Sequence, residues 1–162
     1  MPTAKPIRDL NGAWIRKRDS LWLGLLTALF VIRVGGQAVQ RWIPQPYLPP
    51  FAAFQGSRLP YPVLLLAQLV ILSLMVRVCW RAWTGRLDRN VRKGRVLGRA
   101  GTAYMAGSLL RIVIGVMVPS ASAWFRAWIP GIFHVILAAF VLCLAHAYRH
   151  SQLPWPGRPT DE

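Results

Sequence analysis

Four long runs almost free of charge decide what this chain can fold into. They fall at about Leu21–Gln40, Pro62–Trp80, Gly101–Val118 and Trp128–Tyr148. A bilayer core about 30 Å thick is crossed by roughly 20 mainly apolar residues in a helix. None of the runs carries the charged stripe of a soluble amphipathic helix, and a helix that is apolar all round belongs in lipid or in a very large core. A chain of 162 residues cannot build a core that buries four such helices. The expected fold class is therefore all-α, a four-helix transmembrane bundle over residues 21–150. A basic cytoplasmic tail is expected at 1–20 and a disordered cytoplasmic tail at 151–162. The first run has a basic leader, but the RVGGQAVQ that follows lacks a small-x-small cleavage site, so it reads as a retained span.

Charge sets the expected orientation. Twenty Lys and Arg stand against five Asp and Glu, a net +15. The basic residues cluster in the N-terminal segment (Lys5 to Arg18) and between spans two and three (Arg77 to Arg99). The other two loops hold only Arg41, Arg58 and Arg126. By the positive-inside rule both termini and the middle loop face the cytoplasm. Trp22, Trp80 and Trp83 flank the inner ends and Trp42, Trp124 and Trp128 the outer ends, as an interfacial aromatic belt requires. Only three of the 20 basic residues are Lys, which fits a GC-rich bacterial source and hence a bacterial inner membrane.

The middle loop, TGRLDRNVRKGRVLGR over 84–99, is dense in one sign of charge. No aromatic side chain interleaves its arginines, so it reads as a contact for anionic lipid headgroups, not nucleic acid. The first outer loop, IPQPYLPPFAAFQGSRLPY, is too Pro-rich for a regular helix and lacks the alternation of a strand. It reads as an ordered cap, with Tyr47, Phe51, Phe54 and Tyr61 dipping into the interface.

Arg33 and Arg111 are the most informative residues. A charge inside the bilayer costs roughly 2.5–3.5 kcal/mol on insertion scales and marks a candidate functional position. Arg33 is near enough to the outer end to snorkel, and Arg111 is expected to lie deeper. No Asp or Glu falls within the four runs or the outer loops, so both guanidiniums need neutral acceptors, water or an external anion. Neutral candidates gather at the same level. Gln37 is four residues from Arg33 on one helix face, Gln68 lies in span two and His134 in span four. Tyr104, Ser108 and Arg111 share a face of span three. These seven residues form the candidate ligand-binding set. FVIRVGG (30–36) and LLRIVIG (109–115) form a faint internal echo, open to either an old duplication or coincidence; two hairpins that each run in–out–in would pair span one with two and three with four.

Several chemistries lack their residues. His134 and His146 are about 18 Å apart along one helix, so they cannot share a haem. His146 and His150 have i, i+4 spacing, but no third metal ligand accompanies them in the spans. Cys79 and Cys143 form no CxxC, and no nucleophile elbow, zinc-protease motif or phosphate-binding loop occurs. No catalytic residue, metal or cofactor can be assigned.

The segments RVGGQ (33–37), YLPPF (47–51) and GSRLPYPVLLLAQ (56–68) resemble a group of small bacterial four-span inner-membrane proteins of no assigned activity. The resemblance implies a membrane location and a four-span fold, and no reaction. Three function classes follow. The first is a non-enzymatic protein binding a lipid, quinone or small anion in an outer-leaflet polar pocket. The second is a structural subunit or assembly factor with a membrane-protein partner or a second copy of itself. The third is a membrane-embedded redox or transferase enzyme.

Overall fold

In a computed structural model, residues 7–55, 59–87, 90–118, 120 and 122–150 are described, with side chains from Lys17 onward except Ala123. The tail expected at 151–162 lies outside the described residues. The chain forms four long helices and two short ones: α1 (Ile7–Trp42), α2 (Phe51–Phe54), α3 (Tyr61–Trp83), α4 (Val91–Met117), α5 (Ala123–Arg126) and α6 (Trp128–His150). Four segments are long and apolar enough to cross a membrane: Lys17–Trp42, Tyr61–Trp83, Val91–Met117 and Trp128–His150. The fold is an all-α four-helix bundle, and the chain is a multi-pass membrane protein.

The ends of the helices have local causes. Pro60 and Pro62 open α3, where a missing N–H costs nothing. The end of α3 is a Schellman turn: Arg86 N–H donates to Arg81 O at 2.8 Å and Gly85 N–H to Ala82 O at 3.3 Å. Gly85 supplies the left-handed φ of 69° that this turn needs. Asn90 caps α4, its side chain accepting from Lys93 N–H at 2.8 Å, and its own N–H donates to Tyr148 O in α6 at 3.1 Å.

That cap corrects one sequence reading: the part of the segment 84–99 from Val91 onward is helical, so Arg92, Lys93, Arg95 and Arg99 stand on α4. The N-terminal segment is helical from Ile7. The Pro-rich loop also differs in part. Its residues 51–54 form a helical turn with Phe54 buried, whereas Tyr47 is 78% exposed on the bundle.

The helices neighbour one another in the order α3, α1, α6, α4. Spans one and two pair, and spans three and four pair, as expected of two successive hairpins; α1 against α6 joins them. The buried face of α1 reads Asp19, Leu23, Thr27, Phe30, Val34, Gln37, the i+3 and i+4 steps of one helix stripe. Leu23, Phe30 and Val34 meet Met75 of α3 and Phe133, Phe140 and Leu144 of α6 in one apolar cluster. Phe30 and Phe133 stack with centroids 4.5 Å apart. Helix α4 meets α6 through Gly94, Gly98 and Gly101, where an added Cβ would come within 2.7, 2.2 and 3.0 Å of Arg149 or Leu142 atoms.

We call the end bearing Lys17, the 84–90 turn and His150 the basic end, and the end bearing α2 and α5 the far end.

Candidate functional site

Six of the seven candidate residues divide among three groups, from the middle of the bundle to its far end. The first joins α1, α2, α3 and α6. Arg33 Nη1 donates to Gln37 Oε1, and its Nη2 donates to the carbonyl of Phe54 in α2 at 2.9 Å. Its guanidinium lies 4.6 Å from the centre of the Phe133 ring. Gln68 Nε2 reaches across from α3 to the same Gln37 Oε1 at 3.1 Å. One carbonyl oxygen thus serves two donors. Gln37 is fully buried and Gln68 is 4% exposed. Gln37 Nε2, Gln68 Oε1 and Arg33 Nε are buried and hydrogen-bond to no described residue. The Tyr61 hydroxyl is in the same position, with its ring edge-on to Phe51 and Trp42 at the start of α3.

The second group joins α4 to α5. Arg111, 6% exposed, donates from Nη2 to the carbonyl of Trp124 at 2.7 Å, and its guanidinium lies 3.9 Å from the Trp124 ring centre. Its Nε has no described partner. Gly115 makes room for this closure: a Cβ there would sit 2.2 Å from the Phe125 carbonyl oxygen.

The third group is a pair on the α4–α6 face. The Tyr104 hydroxyl and His134 Nδ1 are 2.6 Å apart. Ser108 is set apart from all three, because its hydroxyl donates to its own helix at Tyr104 O, 2.7 Å away.

Two sequence readings change here. Arg111 lies six residues before the end of α4, while Arg33 lies nine before the end of α1, so Arg111 is not the one farther from its helix end. The spans are also not free of acid. Asp19 falls in the first turn of the Lys17–Trp42 segment, is 6% exposed and stands 3.9 Å from His146 Nε2. It lies at the basic end, remote in sequence from the far-half arginines. His146 also stacks on His150, with ring centroids 4.3 Å apart. No cluster of three His, Cys, Asp or Glu suited to a metal occurs among the described residues.

Sequence reasoning missed the loop carbonyls of Phe54 and Trp124, and Tyr61 as a buried hydroxyl. A backbone carbonyl leaves no mark in a sequence. The available signal was the repeated placing of an aromatic-rich turn after each outward helix. In both hairpins an arginine of the long helix donates to a carbonyl of the following four-residue helix and lies over an aromatic ring. The FVIRVGG and LLRIVIG segments thus do the same structural task.

Comparison with known proteins gives no match to a family model, to a curated protein or to a solved structure.

Proposed function

We propose that this chain is a membrane-embedded binding protein whose Arg33–Gln37–Gln68 cluster takes the oxygen-bearing head of a lipid, a quinone or a small anion. One observation carries the reading. A side-chain N–H2 of Gln37 and a side-chain carbonyl of Gln68 are buried next to each other with no described partner, beside a guanidinium that has no carboxylate near it. An unpaired buried polar group costs about 1–3 kcal/mol, so a pair of them is an expensive arrangement for a purely structural contact. Arg33 Nε and Gln37 Nε2 can only donate, Gln68 Oε1 can only accept, and the Tyr61 hydroxyl does either. That set fits a head with an accepting oxygen and one proton to give, such as a quinol, a carboxylic acid or a phosphate monoanion. The basic end is proposed to face the cytoplasm of a bacterial inner membrane, on the charge asymmetry alone. The head would then enter from the opposite leaflet.

A second reading has its own observation. Arg111 is spent on the Trp124 carbonyl and ring, and Arg33 partly on the Phe54 carbonyl. Both contacts close a loop on the bundle, as expected of a structural subunit of a larger complex. Native mass spectrometry of the full chain, extracted gently from its own membrane, separates the two. The binding reading expects a small-molecule adduct that Gln68→Leu removes while a lipid-facing control, Leu74→Ala, keeps it. A bare wild-type chain, or an adduct indifferent to Gln68→Leu, overturns it. Recovery of a second polypeptide in place of an adduct favours the structural reading.

A further inference from the structure

Between α4 and α6, from the basic end to about the middle of the bundle, runs a groove of about 610 Å³. Its mouth carries Arg99 of α4 with His146 and Arg149 of α6. Its floor, one to two helical turns deeper, is made by Ala103 and Ala106 against Leu142. Seven residues separate Arg99 from Ala106, so the charged and apolar parts lie about 10 Å apart along the helix. Among the described residues, no acid lines the groove. Asp19 approaches only the Nε2 side of His146. Neither Arg99 nor Arg149 makes an ion pair or hydrogen bond among the described residues.

Arg149 is exposed, yet its side chain lies along the glycine face of α4: a Cβ on Gly94 would come within 2.7 Å of its Cγ, and one on Gly98 within 2.2 Å of its Nη2. The stem therefore packs against backbone, with no carboxylate of a described residue paired to the guanidinium. Arg99, next to Gly98, faces the same space from the other helix. Two guanidiniums at one mouth match a phosphate, whose oxygens accept their paired N–H groups. The small residues below the mouth leave a channel for hydrocarbon. A free anion would use only the mouth; an amphiphile uses both parts.

We propose that this groove is a binding site for one anionic phospholipid, its phosphate between Arg99 and Arg149 and the start of an acyl chain over Ala103, Ala106 and Leu142. The site is separate from the Arg33–Gln37–Gln68 cluster and does not depend on it. Its source is the leaflet at the basic end, where anionic lipid concentrates on juxtamembrane cations and interhelical basic pockets take headgroups.

The test is lipid titration of the delipidated full chain in neutral detergent, read by native mass spectrometry. Dioleoylphosphatidylglycerol is the anionic probe, dioleoylphosphatidylcholine the zwitterionic control and inorganic phosphate the competitor. One phosphatidylglycerol should bind ahead of all others and in preference to phosphatidylcholine. Arg99→Gln or Arg149→Gln should each weaken it about five-fold, and the double variant about 25-fold. Arg95→Gln, a basic neighbour outside the groove, should change little. Ala106→Phe fills the floor without touching a charge and should also weaken binding. Ala106 is exposed, so that variant tests the site even if the arginine variants fold poorly. Equal uptake of both lipids, equal effects of Arg95→Gln and Arg99→Gln, or no effect of Ala106→Phe would overturn the proposal. Displacement of the lipid by millimolar inorganic phosphate would also overturn it, leaving an anion site in place of a lipid site.

Discussion

At Arg111 one guanidinium does two things at once: it donates to the Trp124 carbonyl and lies over the Trp124 ring. A hydrogen bond from a charged donor contributes about 1.5–3 kcal/mol and a partly desolvated cation–π contact about 0.5–2 kcal/mol. Arg111→Lys keeps the charge but loses the planar fork, and we expect it to cost about 1–2 kcal/mol in detergent unfolding. A double-mutant cycle with Trp124→Leu should show coupling of at least about 0.5 kcal/mol; strict additivity would count against the contact. The Arg33–Gln37 pair was legible from its i, i+4 spacing. The bond from Gln37 to Gln68 was not, because it depends on how α1 and α3 are rotated against each other. Ser108 shows the converse: its place on the Tyr104–Arg111 face is real, yet its hydroxyl is consumed by its own backbone.

Among elements, the glycines of α4 divide by what stands next to them. Gly115 faces the Phe125 backbone so closely that a methyl group would collide with it, whereas Gly107 has nothing within 4 Å of the same position. Gly115→Ala should therefore destabilise by several kcal/mol, because a backbone neighbour cannot step aside as a flexible side chain can. Gly107→Ala should be neutral or stabilising by up to about 1 kcal/mol through helix propensity. Thermal midpoints of the two variants in one detergent make the comparison, and equal losses would contradict it. The spans were legible to within a few residues because hydropathy marks the bilayer width. The start of α4 was not, because a one-signed run of arginine reads as loop until Asn90 is seen to cap it. The two hairpins share an order of long helix, four-residue helix and 23-residue helix. The sequence hinted at that repeat only through an arginine ahead of a glycine.

For the whole molecule, the order α3, α1, α6, α4 leaves α3 with only Gln68 and Met75 buried and an exposed face, including Leu66, Val70 and Leu74, offered to lipid or to a partner. The proposed orientation has a direct check. In a background with Cys79→Ala and Cys143→Ala, a cysteine at the exposed Tyr47 should react with a membrane-impermeant thiol reagent in intact cells. One at Arg86 should react only after the membrane is opened. The reverse pattern would place the basic end outside.

Binding in the far half of the bundle depends on the amides of Gln37 and Gln68. The most direct measurement is an experimental density map of the full chain, prepared with its own membrane lipid and sharp enough to resolve side-chain amides. Non-protein density is expected within hydrogen-bonding distance of both Gln37 Nε2 and Gln68 Oε1. A map in which both amides are satisfied by protein atoms, with no further density between α1 and α3, would contradict it and leave the far-half arginines as fastenings of the two loops.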